Sequence, residues 1–234
     1  RSTKDRNARS CACATTARTP TPTEALHHWR QQLRQAYRRF VQRSEAEETL
    51  SGAAEWLLDN FYVVQTAVRQ VEKNLPPGYY HCLPRLTETD LVGYPRVYAI
   101  ARALVRHFEG HLDLDRIVAF LRVYQETRPL SMGELWAFPT VLRLVLIELL
   151  AETATRITDL EAASGPSWPF SIALSDDVAE ELIIARGIRS LRAIEARDWD
   201  AYFEAVSRVE AALRTDPAGV YAEMDFETRD RYRQ

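Results

Sequence analysis

The stretch from Arg128 to Leu150, RPLSMGELWAFPTVLRLVLIELL, constrains the fold more than any other, because from Leu135 onward it is apolar on every side of a helix. Such a helix needs neighbours all round, so it belongs in the middle of a helical bundle. Pro139, Arg143 and Glu148 interrupt a run already shorter than the roughly 20 apolar residues of a bilayer span, and no direct membrane span is expected. Inside a bundle, Arg143 or Glu148 without a partner would cost on the order of several kcal/mol. They stand five residues apart in the sequence, about 140° around a helix, so they cannot pair with each other. Each needs a partner from another element.

Amphipathic segments supply those neighbours. A first helix after Thr23 carries Leu26, Trp29, Leu33, Tyr37 and Phe40 on one face, with Arg30, Arg34, Arg38 and Arg39 largely on the other. Glu45, Glu47 and Glu48 follow at once, so that basic face reads as solvated. After Ser51-Gly52 a second helix presents Leu57, Phe61, Val64, Val68 and Val71, interrupted by Asp59 and Asn60, and it ends before Pro76-Pro77-Gly78. Pro95 opens a third, with Val97, Ile100, Ala101, Leu104 and Phe108 inward, closed by Gly110. Asp113 caps a fourth whose face is Leu114, Ile117, Val118, Leu121 and Tyr124. Beyond the central element, Ser164-Gly165-Pro166-Ser167 breaks the chain. A carboxy-terminal pair follows: Ser175 caps a helix with Val178, Leu182, Ala185, Ile188 and Leu191 inward. Asp198 caps its partner, with Trp199, Tyr202, Phe203, Val206, Val209 and Leu213 inward, ending at Asp216-Pro217-Ala218-Gly219. The sum is an all-α bundle of about seven or eight helices.

One connection is unlike the rest. NLPPGYYHCLPRLTETDLVGYPRVY, from Asn74 to Tyr98, is rich in Pro and Tyr yet too apolar for a floppy linker. It is expected to run extended over the bundle with its rings inserted. Residues 1–23 are basic, rich in Ser, Thr and Pro, and read as a disordered tail or linker; 24–234 form the helical domain, with a sub-boundary near 164–167.

The net charge of −3 provides no global positive field, so no nucleic-acid partner is expected. Cys11, Cys13 and Cys82 are an odd set without a disulfide framework, which suits a reducing compartment. No secretory signal is present, and a chain that begins at Arg1 and stops at Gln234 inside a charged helix-like run reads as cut from something longer.

Chemistry-bearing residues are sparse. His107 and His111 stand four apart, but Gly110 and the Asp113 cap end the helix between them, so no metal is assigned. His27 and His28 diverge by about 100°, and His81-Cys82 lacks a third group for an activated thiol. Asp113-Leu114-Asp115 and Asp198-Trp199-Asp200 resemble cation-holding triplets, yet each opens a helix where capping accounts for them. No catalytic residue and no cofactor site is assigned. The contact residues proposed are Tyr79, Tyr80, Tyr94, Glu134 and Trp136, as surfaces for a glucan or for an interface; for Glu134 and Trp136 a buried anchor and a packed indole serve equally well.

Five stretches carry a family resemblance: AAEWLLDNFYVV at 53–64, LPPGYYHCLPRL at 75–86, GYPRVYAIA at 93–101, RPLSMGELWAFPTVLR at 128–143 and DPAGVYAEMDFETRDRYR at 216–233. In this order they resemble the amino-terminal region of bacterial cyclic β-1,2-glucan synthases. The resemblance implies a piece of a large inner-membrane glycosyltransferase that builds glucan from UDP-glucose and also carries a phosphorylase-like domain. The chain lacks the transmembrane helices and the QxxRW-type transferase motif, so no catalytic residue carries over. It is expected to be a non-catalytic accessory domain on the cytoplasmic side of that membrane. Its partners would be the transferase and membrane domains of the same polypeptide, and the glucan. The alternatives are a carbohydrate-binding module and a stand-alone helical interaction domain.

Overall fold

The computed structural model describes residues 22–88, 91–158, 172, 174 and 178–233. Twelve helices and no strand occur among them: α1 (Pro22–Glu45), α2 (Gly52–Asp59), α3 (Phe61–Asn74), α4 (Pro77–Cys82), α5 (Arg96–His107), α6 (Leu114–Thr127), α7 (Met132–Ile157), α8 (Glu180–Ala196), α9 (Trp199–Val206), α10 (Arg208–Leu213), α11 (Val220–Glu223) and α12 (Phe226–Arg233). The all-helical bundle is as expected. The number of helices exceeds seven or eight for local reasons. Asn60 ends α2 by turning its side-chain amide back onto the Trp56 carbonyl at 2.9 Å, and α3 begins at the next residue. Ser207 closes α9 and caps α10, accepting from the Glu210 N–H at 3.2 Å. Each break divides a segment whose periodicity reads as one helix.

The central element is α7. Ser131 and Glu134 form a reciprocal capping box at its start, and the helix then runs through Pro139, which supplies no N–H to the Leu135 carbonyl. Helices α1, α3, α5 and α8 surround it. Phe138, Val141, Leu142, Val145, Leu146 and Leu150 are all fully buried, as an all-round apolar helix requires. Gly187 lets α8 come close: a Cβ there would meet Leu150 Cδ2 at 2.9 Å. The turn after α5 reaches the same helix. Gly110 adopts φ +79°, and the buried Ser190 hydroxyl donates to its carbonyl at 2.7 Å while accepting from the Leu112 N–H at 2.8 Å.

The amphipathic faces fall where the periodicity predicts, with two corrections. Leu182 is exposed, because Leu182, Ile183 and Ile184 in succession cannot all face inward and α8 turns Ile183 and Ile184 to the core. Val209 is exposed because the break at Ser207 resets the helical phase. The Asp113 and Asp198 caps form as read. The Ser175 cap and the 164–167 break lie outside the described residues; Ala179 holds the N-cap position of α8. Of the expected tail, only Pro22 and Thr23 are described, and they open α1.

The Pro/Tyr-rich connection is more structured than an extended strap. It contains α4 and a small loop closed by an isolated antiparallel bridge between Arg85 and Pro95. The Leu86 N–H donates to the Tyr94 carbonyl and the Gly93 N–H to the Leu86 carbonyl, both at 2.9 Å. Two adjacent prolines end α3, but Pro77 suits a helix first turn, so one short helix restarts.

Candidate functional site

Two ties fasten α5 to α7, and both use carboxylates that are completely buried. At the start of α5, Arg96 donates to Glu134 through Nε at 2.9 Å and Nη2 at 2.6 Å, a bidentate pair. Glu134 also closes the capping box, accepting from the Ser131 N–H at 2.8 Å. Farther along, Tyr98 and Arg102, one turn apart, converge on Glu148: the Tyr98 hydroxyl donates to Oε2 at 2.7 Å, and Arg102 contacts Oε1. Burial pushes the Glu148 carboxyl up to about 8, and the Arg102 charge and Tyr98 hydrogen bond offset this only in part. Arg143 finds its partners on α8, the Ile194 carbonyl at 3.4 Å and the Glu195 carboxylate at 3.7 Å, and burial holds its pKa below the usual guanidinium value. The requirement that Arg143 and Glu148 find separate partners is met.

These pairs orient α5, and its outer side opens onto a groove. The groove encloses about 680 Å³ between α5, α6 and the loop before Pro95, a size that suits a ligand or an inserted side-chain row. Leu86, Leu91, Ile100, Leu104, Phe120 and Tyr124 line it, with Arg96 and His107 also on its wall. Phe120 is 42% exposed and Val123, beside it on α6, 63%. Among the described residues no carboxylate lines the groove, and the surface offers mainly apolar contact and aromatic edges.

The residues proposed for contact do not gather here. Tyr80 and Tyr94 are each 3% exposed, Tyr94 stacked on Tyr98 at 5.5 Å, so neither offers a ring face to a sugar. Burial raises both phenols. Tyr79 is half-buried and donates to the Gly133 carbonyl at 2.6 Å, fixing α4 against the start of α7. Trp136 keeps 38% exposure, but one face stacks on Phe203 at 4.4 Å and Phe226 meets it edge-on. Glu134 is the buried anchor. The groove residues went unnoticed in the sequence because Leu86 and Leu91 come from an irregular loop. One signal was present: Phe120 and Val123 lie off the inward stripe of α6 and have no reason to be apolar in a fully solvated face.

Other sequence candidates resolve simply. His107 ends α5, and His111 lies beyond the left-handed Glu109 and Gly110, so the two share no helix face. His81 Nδ1 faces the Arg85 guanidinium at 3.0 Å, not the exposed Cys82 thiol. Among the described residues no group of three or more His, Cys, Asp or Glu is placed to hold a metal ion, and no helix is long and apolar enough to cross a membrane. Cys11 and Cys13 lie outside the described residues.

No family model matches the sequence. The chain is 29% identical to the cyclic beta-(1,2)-glucan synthase NdvB of Rhizobium meliloti (strain 1021), in an alignment of 268 positions covering 86% of this chain and 9% of that protein. The similarity read from five short words thus extends over most of the chain. The chain spans less than a tenth of the length of the relative it matches.

Proposed function

We propose that this chain is a non-catalytic helical accessory region of a membrane-bound cyclic β-1,2-glucan synthase, a glycosyltransferase using UDP-glucose. Its groove over α5 and α6 seats an apolar-faced helix from the rest of the same polypeptide. The observation that carries this reading is the groove itself: apolar, open, and held in place by buried Arg–Glu contacts behind it. The choice of occupant rests on length, since the similar synthase continues far beyond the matched 9%. In support of the non-catalytic role, the wholly buried carboxylates Glu134, Glu148 and Glu210 are each committed to Arg or Tyr partners. The cytoplasmic side of the inner membrane is the location this reading implies.

The test is to express the chain and the remainder of such a synthase as separate polypeptides and measure their association. Phe120→Glu and Ala103→Glu, which place charge on the groove, should weaken association tenfold or more while the chain keeps its helicity. The isolated chain should not turn over UDP-glucose. Turnover by the chain alone, or association indifferent to both substitutions, would overturn the reading.

A further inference from the structure

Charge is distributed unevenly along this chain. The first 45 residues carry ten Lys and Arg against three Asp and Glu, a net +7, whereas the remaining residues carry 20 against 30, a net −10. Such asymmetry points to an anionic partner for the basic part. Within α1, Glu24 and Glu45 are the only carboxylates, and five arginines, Arg30, Arg34, Arg38, Arg39 and Arg43, stand between them. Arg30 pairs with Glu72 and Arg43 with Glu48, and Arg39 donates to the Thr158 carbonyl. Arg34 and Arg38, both exposed and one turn apart, make no ion pair among the described residues.

Neighbouring α3 adds to this row. Arg30, Arg34 and Arg69 wall a shallow groove of about 130 Å³ between α1 and α3, floored by Leu33, Val64 and Val68. Arg69 is held upright by a hydrogen bond to the Thr66 hydroxyl at 2.9 Å. Exposed guanidinium groups along this face match a surface of phosphate groups, whose oxygens take the bidentate N–H pairs. A nucleic acid is the poorer match. It would want exposed rings for stacking, and the ring closest to this floor, Phe61, is buried and stacked on Tyr37 at 4.3 Å.

We propose that the α1/α3 face docks on an anionic phospholipid surface through Arg34, Arg38 and Arg69. No helix among the described residues is long and apolar enough to cross a bilayer, and the face lies against it by charge, with α1 parallel to the surface. This face is distinct from the α5/α6 groove, so it stands or falls independently of the docking role assigned there.

The experiment is vesicle flotation of the 234-residue chain with phosphatidylcholine vesicles and with vesicles of one part phosphatidylglycerol to two parts phosphatidylcholine. Binding is expected to the mixed vesicles only, and to fall steeply as salt rises. Each basic residue near such a surface is worth roughly fivefold in partitioning, so Arg34→Gln, Arg38→Gln and Arg69→Gln together should lower it about a hundredfold. All three side chains are exposed, so circular dichroism should not change. The corresponding triple lysine variant should keep binding, and Arg106→Gln with Arg128→Gln, on other faces, should leave it alone. The proposal is overturned by equal binding to both vesicle types, or by a glutamine triple that floats like the parent. Tighter binding to a single-stranded oligonucleotide than to mixed vesicles would also overturn it.

Discussion

Replacing Glu148 by Gln decides whether the buried tie between α5 and α7 is an ion pair or a neutral acid held by donors. The carboxyl is completely buried, receives the Tyr98 hydroxyl at 2.7 Å and touches Arg102. Contact with a guanidinium favours the ionised form and burial favours the neutral one. Burial is the larger effect, moving the group from 4.5 to about 8. A group whose folded pKa is raised contributes stability that is fully present below its unfolded value and lost as pH rises through the folded one. Glu148 should therefore contribute most below pH 4.5 and least above about 8. Within that window the slope is about 1.4 kcal/mol per pH unit. Between pH 5.5 and 7.5 the parent should lose roughly 2–3 kcal/mol relative to Glu148→Gln, which keeps the shape and does not titrate. His28, whose imidazole is lowered by burial and by His27, is common to both proteins and cancels. Urea unfolding followed by circular dichroism at the two pH values resolves this, since the difference amounts to about 1 M in midpoint at ordinary slopes. Parallel pH profiles would refute the reasoning. A parent that gains on the variant as pH rises would mean the carboxylate is ionised against Arg102.

Other substitutions test the packing. Gly187→Ala places a methyl 2.9 Å from Leu150 Cδ2 in a closed core, and should destabilise by about 1–3 kcal/mol in urea unfolding. Ser190→Ala leaves the buried Leu112 N–H and Gly110 carbonyl without their side-chain partner, so a loss of about 1–3 kcal/mol is expected from the same measurement. Tyr202→Phe removes a buried hydroxyl that has no hydrogen-bond partner among the described residues, so stability should be unchanged or raised by about 1 kcal/mol; a clear fall in thermal midpoint would count against this. Glu210→Gln weakens the attachment of Arg214, Tyr221 and Arg229, and limited proteolysis should then cut the segment from Val220 onward first.

The bundle was legible because burial writes itself into spacing. The all-round apolar run at 135–150 named the central helix, and the stripes of α1, α3, α5 and α8 named those around it. Asp113 and Asp198 announced caps because a carboxylate at a helix start has few better uses. The partners of Arg143 and Glu148 were legible only as a need. Tyr98 and Arg102 lie about 50 residues from Glu148, and only the packing of α5 on α7 brings them together. The exposed groove was harder still, because an apolar residue left outside a stripe looks like noise until neighbouring elements place others beside it. Tyr80 and Tyr94 show the converse: aromatic residues in an irregular stretch suggest a binding face, and here both rings are buried within the packing of that stretch.

Helix α5 shows how an outward surface can be set from inside. Its inner face holds Arg96, its first residue, and Arg102, near its middle, on Glu134 and Glu148 of α7, which stand 14 positions apart on either side of Pro139. Two polar anchors six positions apart on one helix fix its rotation as well as its position, which a purely apolar contact leaves freer to slide. The rotation decides that Ile100 and Leu104 face the groove beside Phe120 and Tyr124. Arg96 belongs to both surfaces, gripping Glu134 while standing on the groove wall. A helix seated in that groove would therefore press on the side chain that grips Glu134, the carboxylate of the α7 capping box. The carboxylates, though completely buried, thus bear on what the exposed face can bind.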